Sequence, residues 1–138
     1  MRNKKGLSFV TIMIIIALSA LGLRIMIEQV MRMTVAQNES SALASLKLIS
    51  TAIENYAKDS QGNFPSNLTV LTKTSPPYLD QDYIAKSSIK GYSYSCTQFG
   101  VSGYSCSASP VKCGITGKLA YTITTGGALA SDDCAKRE

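Results

Sequence analysis

Apolar and polar positions divide the chain into three stretches with different periods. From Leu7 to Leu23 (LSFVTIMIIIALSALGL) no charged residue occurs. As a helix rising about 1.5 Å per residue, this run spans roughly 25 Å, slightly short of a hydrocarbon core of about 30 Å. Arg24 extends it by carrying its guanidinium to the interface on an apolar stem, and Ile25, Met26 and Ile27 add further apolar length. The helical pattern then continues without a break. No proline precedes Pro65, and Gly22 is the only glycine between Gly6 and Gly62. Ala42, Leu46, Ile49, Ile53 and Tyr56 recur at spacings of four, three, four and three, which lines one helical face. Such a stripe is what a helix packed on its own domain needs, and the polar run Gln37 to Ser41 marks the start of the exposed part. The pattern predicts one helix from Leu7 to about Lys58, roughly 78 Å long. A domain this small covers only part of it, so its first half must be buried by lipid and then by something else.

Lys58, Gly62 and Pro65 supply stop signals in the expected order: a basic last turn, then glycine, then proline. From Asn63 to Lys90 there is no sustained period, apart from a short helical turn around Asn67 to Leu71. Pro76-Pro77 forbids a helix there. Beyond Lys90 the period becomes two. Tyr92, Tyr94 and Cys96 share a face, as do Tyr104, Cys106 and Ala108, and then Leu119, Tyr121 and Ile123. Gly100-Val101-Ser102-Gly103 is a turn signal, and Thr124-Thr125-Gly126-Gly127 predicts a further hairpin with Ala128 to Ala130 returning. The expected fold class is α+β: a long N-terminal helix packed on a small antiparallel sheet.

Cys96, Cys106, Cys113 and Cys134 all lie in the last third of the chain. An even count in a short exported segment reads as two disulfides, with three connectivities open. A turn centred near Val101 sets Cys96 opposite Cys106, which favours that bridge and leaves Cys113 with Cys134. Zinc is disfavoured, because no pair has a CxxC-like separation and there is no histidine.

Charge changes the picture at one end only. The formal net charge is +5, from fourteen basic and nine acidic residues. Arg2, Lys4 and Lys5 account for three of the basic ones, leaving eleven against nine. The basicity therefore marks the N-terminal side of the apolar run as cytoplasmic. No basic stripe interleaved with aromatics occurs elsewhere, so nucleic acid is not an expected partner. Catalysis has no basis in the residues either. Asp80 with Asp82 and Asp132 with Asp133 are the acid clusters, and they read as solvated loop acids. No cofactor and no metal is expected. The sequons Asn38-Glu39-Ser40 and Asn67-Leu68-Thr69 are short enough to arise by chance.

Lys4-Lys5-Gly6 followed by Leu7-Ser8-Phe9-Val10-Thr11 and the apolar run resembles the cleavage region of type IV pilins and type II secretion pseudopilins. The helix-to-loop junction Tyr56 through Gly62, Phe64 and Pro65 is similar to that family's, and Pro76-Pro77-Tyr78-Leu79 fits its connecting loop. The resemblance implies a pilin-like fold and cleavage between Gly6 and Leu7 by a prepilin peptidase, with N-methylation of Leu7. It divides the chain into a leader (1–6), a transmembrane and filament-core helix (7–30) and an exported globular domain (31–138). The implied partners are that peptidase, other pilin or pseudopilin subunits, an inner-membrane assembly platform, and membrane lipid before assembly. The implied location is the bacterial inner membrane, crossed once with the N-terminus cytoplasmic, and then a periplasmic or cell-surface filament.

The chain departs from the family in two ways: the proline often found in the membrane half of its helix is missing, and one position differs. The family's usual glutamate at the fifth residue after the cut is here Thr11. A carboxylate in lipid is tolerated when it pairs with a neighbour's amino terminus. Threonine bonds its hydroxyl back to the helix and cannot neutralise that amine. A minor subunit at a filament tip, or divergence in a major subunit, both follow. Some members hold calcium in a loop near the last strands, but the aspartate and glycine pattern of that loop is not reproduced in Gly126 to Asp133. The function expected from the whole is a structural filament subunit. The alternative is a single-pass anchored binding domain that never polymerises.

Overall fold

The computed structural model describes residues 8–136. Gly6 and Leu7, the expected cleavage and methylation positions, lie outside the described residues. The chain divides into two compact units, one up to Met33 and one from Thr34 onward. Helix α1 runs from Phe9 to Asp59.

In the second unit, α1 buries the stripe that its spacing predicts. Ala42, Leu46, Ile49, Ala52 and Ile53 are in the core, and Tyr56 is packed against it. Leu46, Ile49 and Ile53 have no exposed surface at all, so each contributes about 1.5–3 kcal/mol of apolar burial. Burial starts at Val35, slightly before the polar run that marked the boundary in the sequence. At its far end the helix closes with a left-handed residue. That residue is Gln61 (φ 56°), followed by Gly62 (φ 87°), whose N–H donates to Ala57 O at 2.7 Å. This six-to-one bond satisfies one of the carbonyls that a helix end leaves without a partner.

A short helix, α2 (Leu68–Lys73), follows, capped by Asn67 accepting from the Val70 N–H at 3.1 Å. It reaches two residues beyond the turn expected at Asn67 to Leu71, and it exists to seat Leu68 and Leu71 in the core. The loop after it is pinned by Leu79 and Tyr83, which are buried in the same cluster.

Four antiparallel strands form the sheet in chain order: β1 (Tyr92–Gly100), β2 (Gly103–Pro110), β3 (Leu119–Thr124) and β4 (Ala128–Asp133). The inward residues are Tyr92, Tyr94, Tyr104, Cys106, Ala108, Tyr121 and Ile123, and they meet the buried face of α1 in one cluster. On the other face of the first pair, Ser95 and Ser107 share a 2.9 Å hydrogen bond between hydroxyls. The β1–β2 register places Cys96 directly against Cys106, with a shift between Thr97 and Gly100 that lets Gln98 sit at φ 59°. Strand β4 extends to Asp133, past the expected Ala130, and every residue in it is exposed. Asp132 and Asp133 are therefore strand residues and not loop acids.

Candidate membrane and assembly helix

The feature with most functional content is the N-terminal half of α1. Every residue from Ser8 to Thr34 is exposed in the structure. The apolar side chains among them are large: Phe9 is 75% exposed, Leu18 64% and Met26 67%. A continuous apolar surface of this size is not left to water by a stable chain; it marks a lipid or protein contact. The helix is long and apolar enough to cross a membrane, and it lies near the N-terminus. This is compatible with a single-pass anchor. Helical geometry is what makes it so, because every main-chain N–H and C=O from the second turn onward is bonded within the segment. Polar side chains there are few, and Ser19 Oγ donates to Ile16 O at 2.9 Å, so its hydroxyl is satisfied inside the helix. Thr11 is exposed on the same stretch. A Cβ built at Gly22 meets nothing within 4 Å, so this glycine leaves a notch in the surface and relieves no internal clash.

Past the uncharged run the surface changes in one respect. Arg24, Glu28 and Arg32 are the only charged residues between that run and Glu39. Around them Leu23, Met26, Ile27, Val30 and Met31 keep the surface apolar and line a shallow groove.

Within the second unit, α1 is fixed to the rest of the fold by polar contacts that the sequence does not announce. Asn38 Nδ2 donates to Thr116 O at 3.0 Å. Glu39 Oε1 accepts the N–H groups of Lys118 at 2.7 Å and Leu119 at 3.3 Å. One turn-rich loop is thus tied to the first polar turn of the helix. Further along, the Tyr104 hydroxyl lies 2.6 Å from Ser50 Oγ and donates to Glu54 Oε1 at 3.0 Å. Glu54 also accepts the Gly126 N–H at 2.8 Å. Both carboxylates anchor backbone N–H groups, and Glu54 also holds the Tyr104 hydroxyl. The signal in the sequence was present but ambiguous, since Asn38, Glu39 and Glu54 also fit a solvated helix face.

The disulfides join Cys96 to Cys106, with Cα atoms 4.0 Å apart, and Cys113 to Cys134, with Cα atoms 5.8 Å apart. The second holds the end of β4 to the loop before β3. Cys113, Asp133 and Cys134 cluster there, but both sulfurs are bonded to each other and provide no thiolate for a metal. Asp82 serves as a local cap: its Oδ1 accepts from the Ile84 and Ala85 N–H groups at 3.0 and 3.1 Å, and its Oδ2 accepts from Thr69 Oγ1 at 3.0 Å. Asp80 accepts from the Tyr83 hydroxyl at 3.4 Å. Asp133 accepts the Ala135 N–H at 3.0 Å.

Four tyrosines facing the core have their hydroxyls pushed above the ordinary range. Burial is the largest cause for Tyr92, Tyr94, Tyr104 and Tyr121, and the Glu39 charge adds to it at Tyr92 and Tyr121. All four are therefore held neutral as packing groups. No family model matches the chain, and neither a curated protein nor a solved structure matches it.

Proposed function

We propose that this chain is a structural subunit of a filament of the type IV pilus or type II secretion pseudopilus class, assembled through the N-terminal half of α1. The observation that carries the reading is the conjunction of Lys4-Lys5-Gly6 with a helix whose first half is wholly exposed and mostly apolar and whose second half is built into a disulfide-bonded domain. A secretory signal that is cut away has no reason to continue as one unbroken helix into a domain core. A helix retained after loss of a basic leader has such a reason: it resides in lipid first and among sister helices afterwards.

In this reading a prepilin peptidase cuts between Gly6 and Leu7 and methylates Leu7. The basic leader sets the orientation before it is removed. The exported domain folds and forms its disulfides outside the cytoplasm. Catalysis is no part of the role. Thr11 removes the carboxylate that would pair with a neighbour's amino terminus, so either the subunit sits where no such pairing is required or the pairing is made elsewhere on the helix.

The test is the mature N-terminus. Mass spectrometry of the chain purified from membranes is expected to find N-methyl-Leu7 as the first residue. An intact Met1, or a cut near Gly22, would mean an anchored or secreted domain that does not polymerise.

A further inference from the structure

Arg24, Glu28 and Arg32 stand four residues apart, on one ridge of a helix that is otherwise apolar from Ser8 to Val35 except for small or uncharged polar groups. The uncharged run before Arg24 gives no ionic preference among axial positions of two packed helices. The ridge does. We infer that Arg24, Glu28 and Arg32 set the axial register between this chain and a second, parallel copy of itself, and this rests on the filament-subunit reading above.

The order of signs carries the inference. A positive, negative, positive ridge is a palindrome. Two copies packed parallel and level set Arg against Arg and Glu against Glu at every position. Two copies packed antiparallel about Glu28 meet the same three repulsions. A parallel shift of four residues, about 6 Å along the axis, sets Arg24 of one copy against Glu28 of the other and Glu28 against Arg32. A shift of eight brings Arg24 against Arg32 and is again repulsive. The pattern thus disfavours a level contact in either direction and selects a stagger of four residues. Copies inserted by one basic leader all point the same way, so the antiparallel option is closed before packing starts. Apolar neighbours such as Ile27 and Met31 lower the local dielectric around the ridge once a second helix covers it, which strengthens both the attraction and the repulsion. The same ridge supplies what Thr11 lacks, a charge-based choice of neighbour position.

The experiment uses the full chain in its own membrane, with the stagger read by cysteine cross-linking. The four native cysteines are already bonded in pairs and do not compete. Leu21 lies three residues before Arg24, and Ile25 lies three before Glu28. Where Arg24 meets Glu28 across a contact, Leu21 meets Ile25. Cells carrying both Leu21→Cys and Ile25→Cys copies are expected to give more cross-linked dimer than cells carrying either alone. Glu28→Arg, which makes the ridge wholly positive, is expected to remove most of that product. Mixing Glu28→Arg copies with Arg24→Glu/Arg32→Glu copies, whose ridge is wholly negative, is expected to restore dimer only in the mixture. Each variant is first checked for membrane abundance and for closed disulfides, so that a folding failure is scored separately.

If Leu21→Cys alone cross-links as well as the mixture, or if Glu28→Arg changes nothing, the ridge faces water or lipid headgroups and the inference is overturned. That result leaves the filament reading intact wherever the N-terminus is N-methyl-Leu7. An N-terminus of Met1 would instead overturn the reading itself.

Discussion

Glu39 and Lys118 are joined across seventy-nine positions of chain by a 2.7 Å hydrogen bond, from the Lys118 main-chain N–H to Glu39 Oε1. The same oxygen accepts the neighbouring Leu119 N–H, so one carboxylate on α1 fixes the entry of β3. Hydrogen bonds to charged groups contribute roughly 1.5–3 kcal/mol, and partial exposure of Glu39 puts this one at the low end. Glu39→Ala is expected to lower stability by about 1.5 kcal/mol, and Glu39→Gln by less, because an amide oxygen still accepts. Urea unfolding of the full chain in mild detergent, followed by tyrosine fluorescence, measures both. Equal losses in the two variants would show that charge and not geometry is the main contribution.

Gly117 is the point where backbone approaches the largest buried ring. A Cβ built there would overlap the Tyr92 hydroxyl oxygen, and that hydroxyl donates to Leu119 O at 2.8 Å. Tyr92 is fully buried and cannot swing aside. Gly117→Ala is expected to cost about 2–3 kcal/mol through overpacking and loss of that hydrogen bond. The double variant with Tyr92→Phe is expected to recover little, since the ring carbons Cζ and Cε2 still overlap that Cβ. A melting curve for each of the three variants checks this.

The tyrosines make stability fall in alkali. Tyr92, Tyr94, Tyr104 and Tyr121 have raised hydroxyl pKa values in the folded chain, burial being the first cause. In the unfolded chain they ionise near the ordinary value of about 10. Below that pH both states hold the proton and the contribution to stability is complete. Above it the unfolded chain releases protons that the folded chain retains, so stability declines as pH rises towards the folded values. Phenolate absorbance during an alkaline titration is expected to show the core tyrosines ionising together with unfolding. Independent early ionisation of all seven tyrosines would contradict it.

The two disulfides differ in access. Cys106 has no exposed surface, whereas Cys113 is exposed and Cys134 partly so. A mild reductant followed by alkylation is expected to label Cys113 and Cys134 before Cys96 and Cys106. Each bridge closes a loop of modest size, at sequence separations of 10 and 21, and the chain-entropy relation gives about 3 kcal/mol for either. Replacing Cys113 and Cys134 with alanine should therefore lower stability by about that amount, read from the shift of the urea midpoint. A negligible shift would mean that Asn38, Glu39 and the β3–β4 pairing already hold the loop.

Elements whose cause is local are legible in the residues alone. Absence of proline and near absence of glycine over fifty residues sets one helix. The four-three spacing from Ala42 to Tyr56 sets its buried face, and the alternating tyrosines and serines set the strands. The turn follows from Gly100 and Gly103, but it closes on Val101-Ser102, and the register shift between Thr97 and Gly100 is what brings Cys96 against Cys106. Tertiary structure decided what depends on groups brought together from far along the chain. At the end of α1 Gln61 as well as Gly62 takes a positive φ, because Gly62 and Pro65 favour a stop without fixing where the turn begins. Glu39 becomes an anchor because folding brings the Lys118 N–H to it, and Asp82, a cap for its own loop, is met by Thr69 of α2. A carboxylate on a polar helix face looks the same in sequence whether its partner is water or a backbone amide seventy-nine residues away, and only the fold supplies that partner.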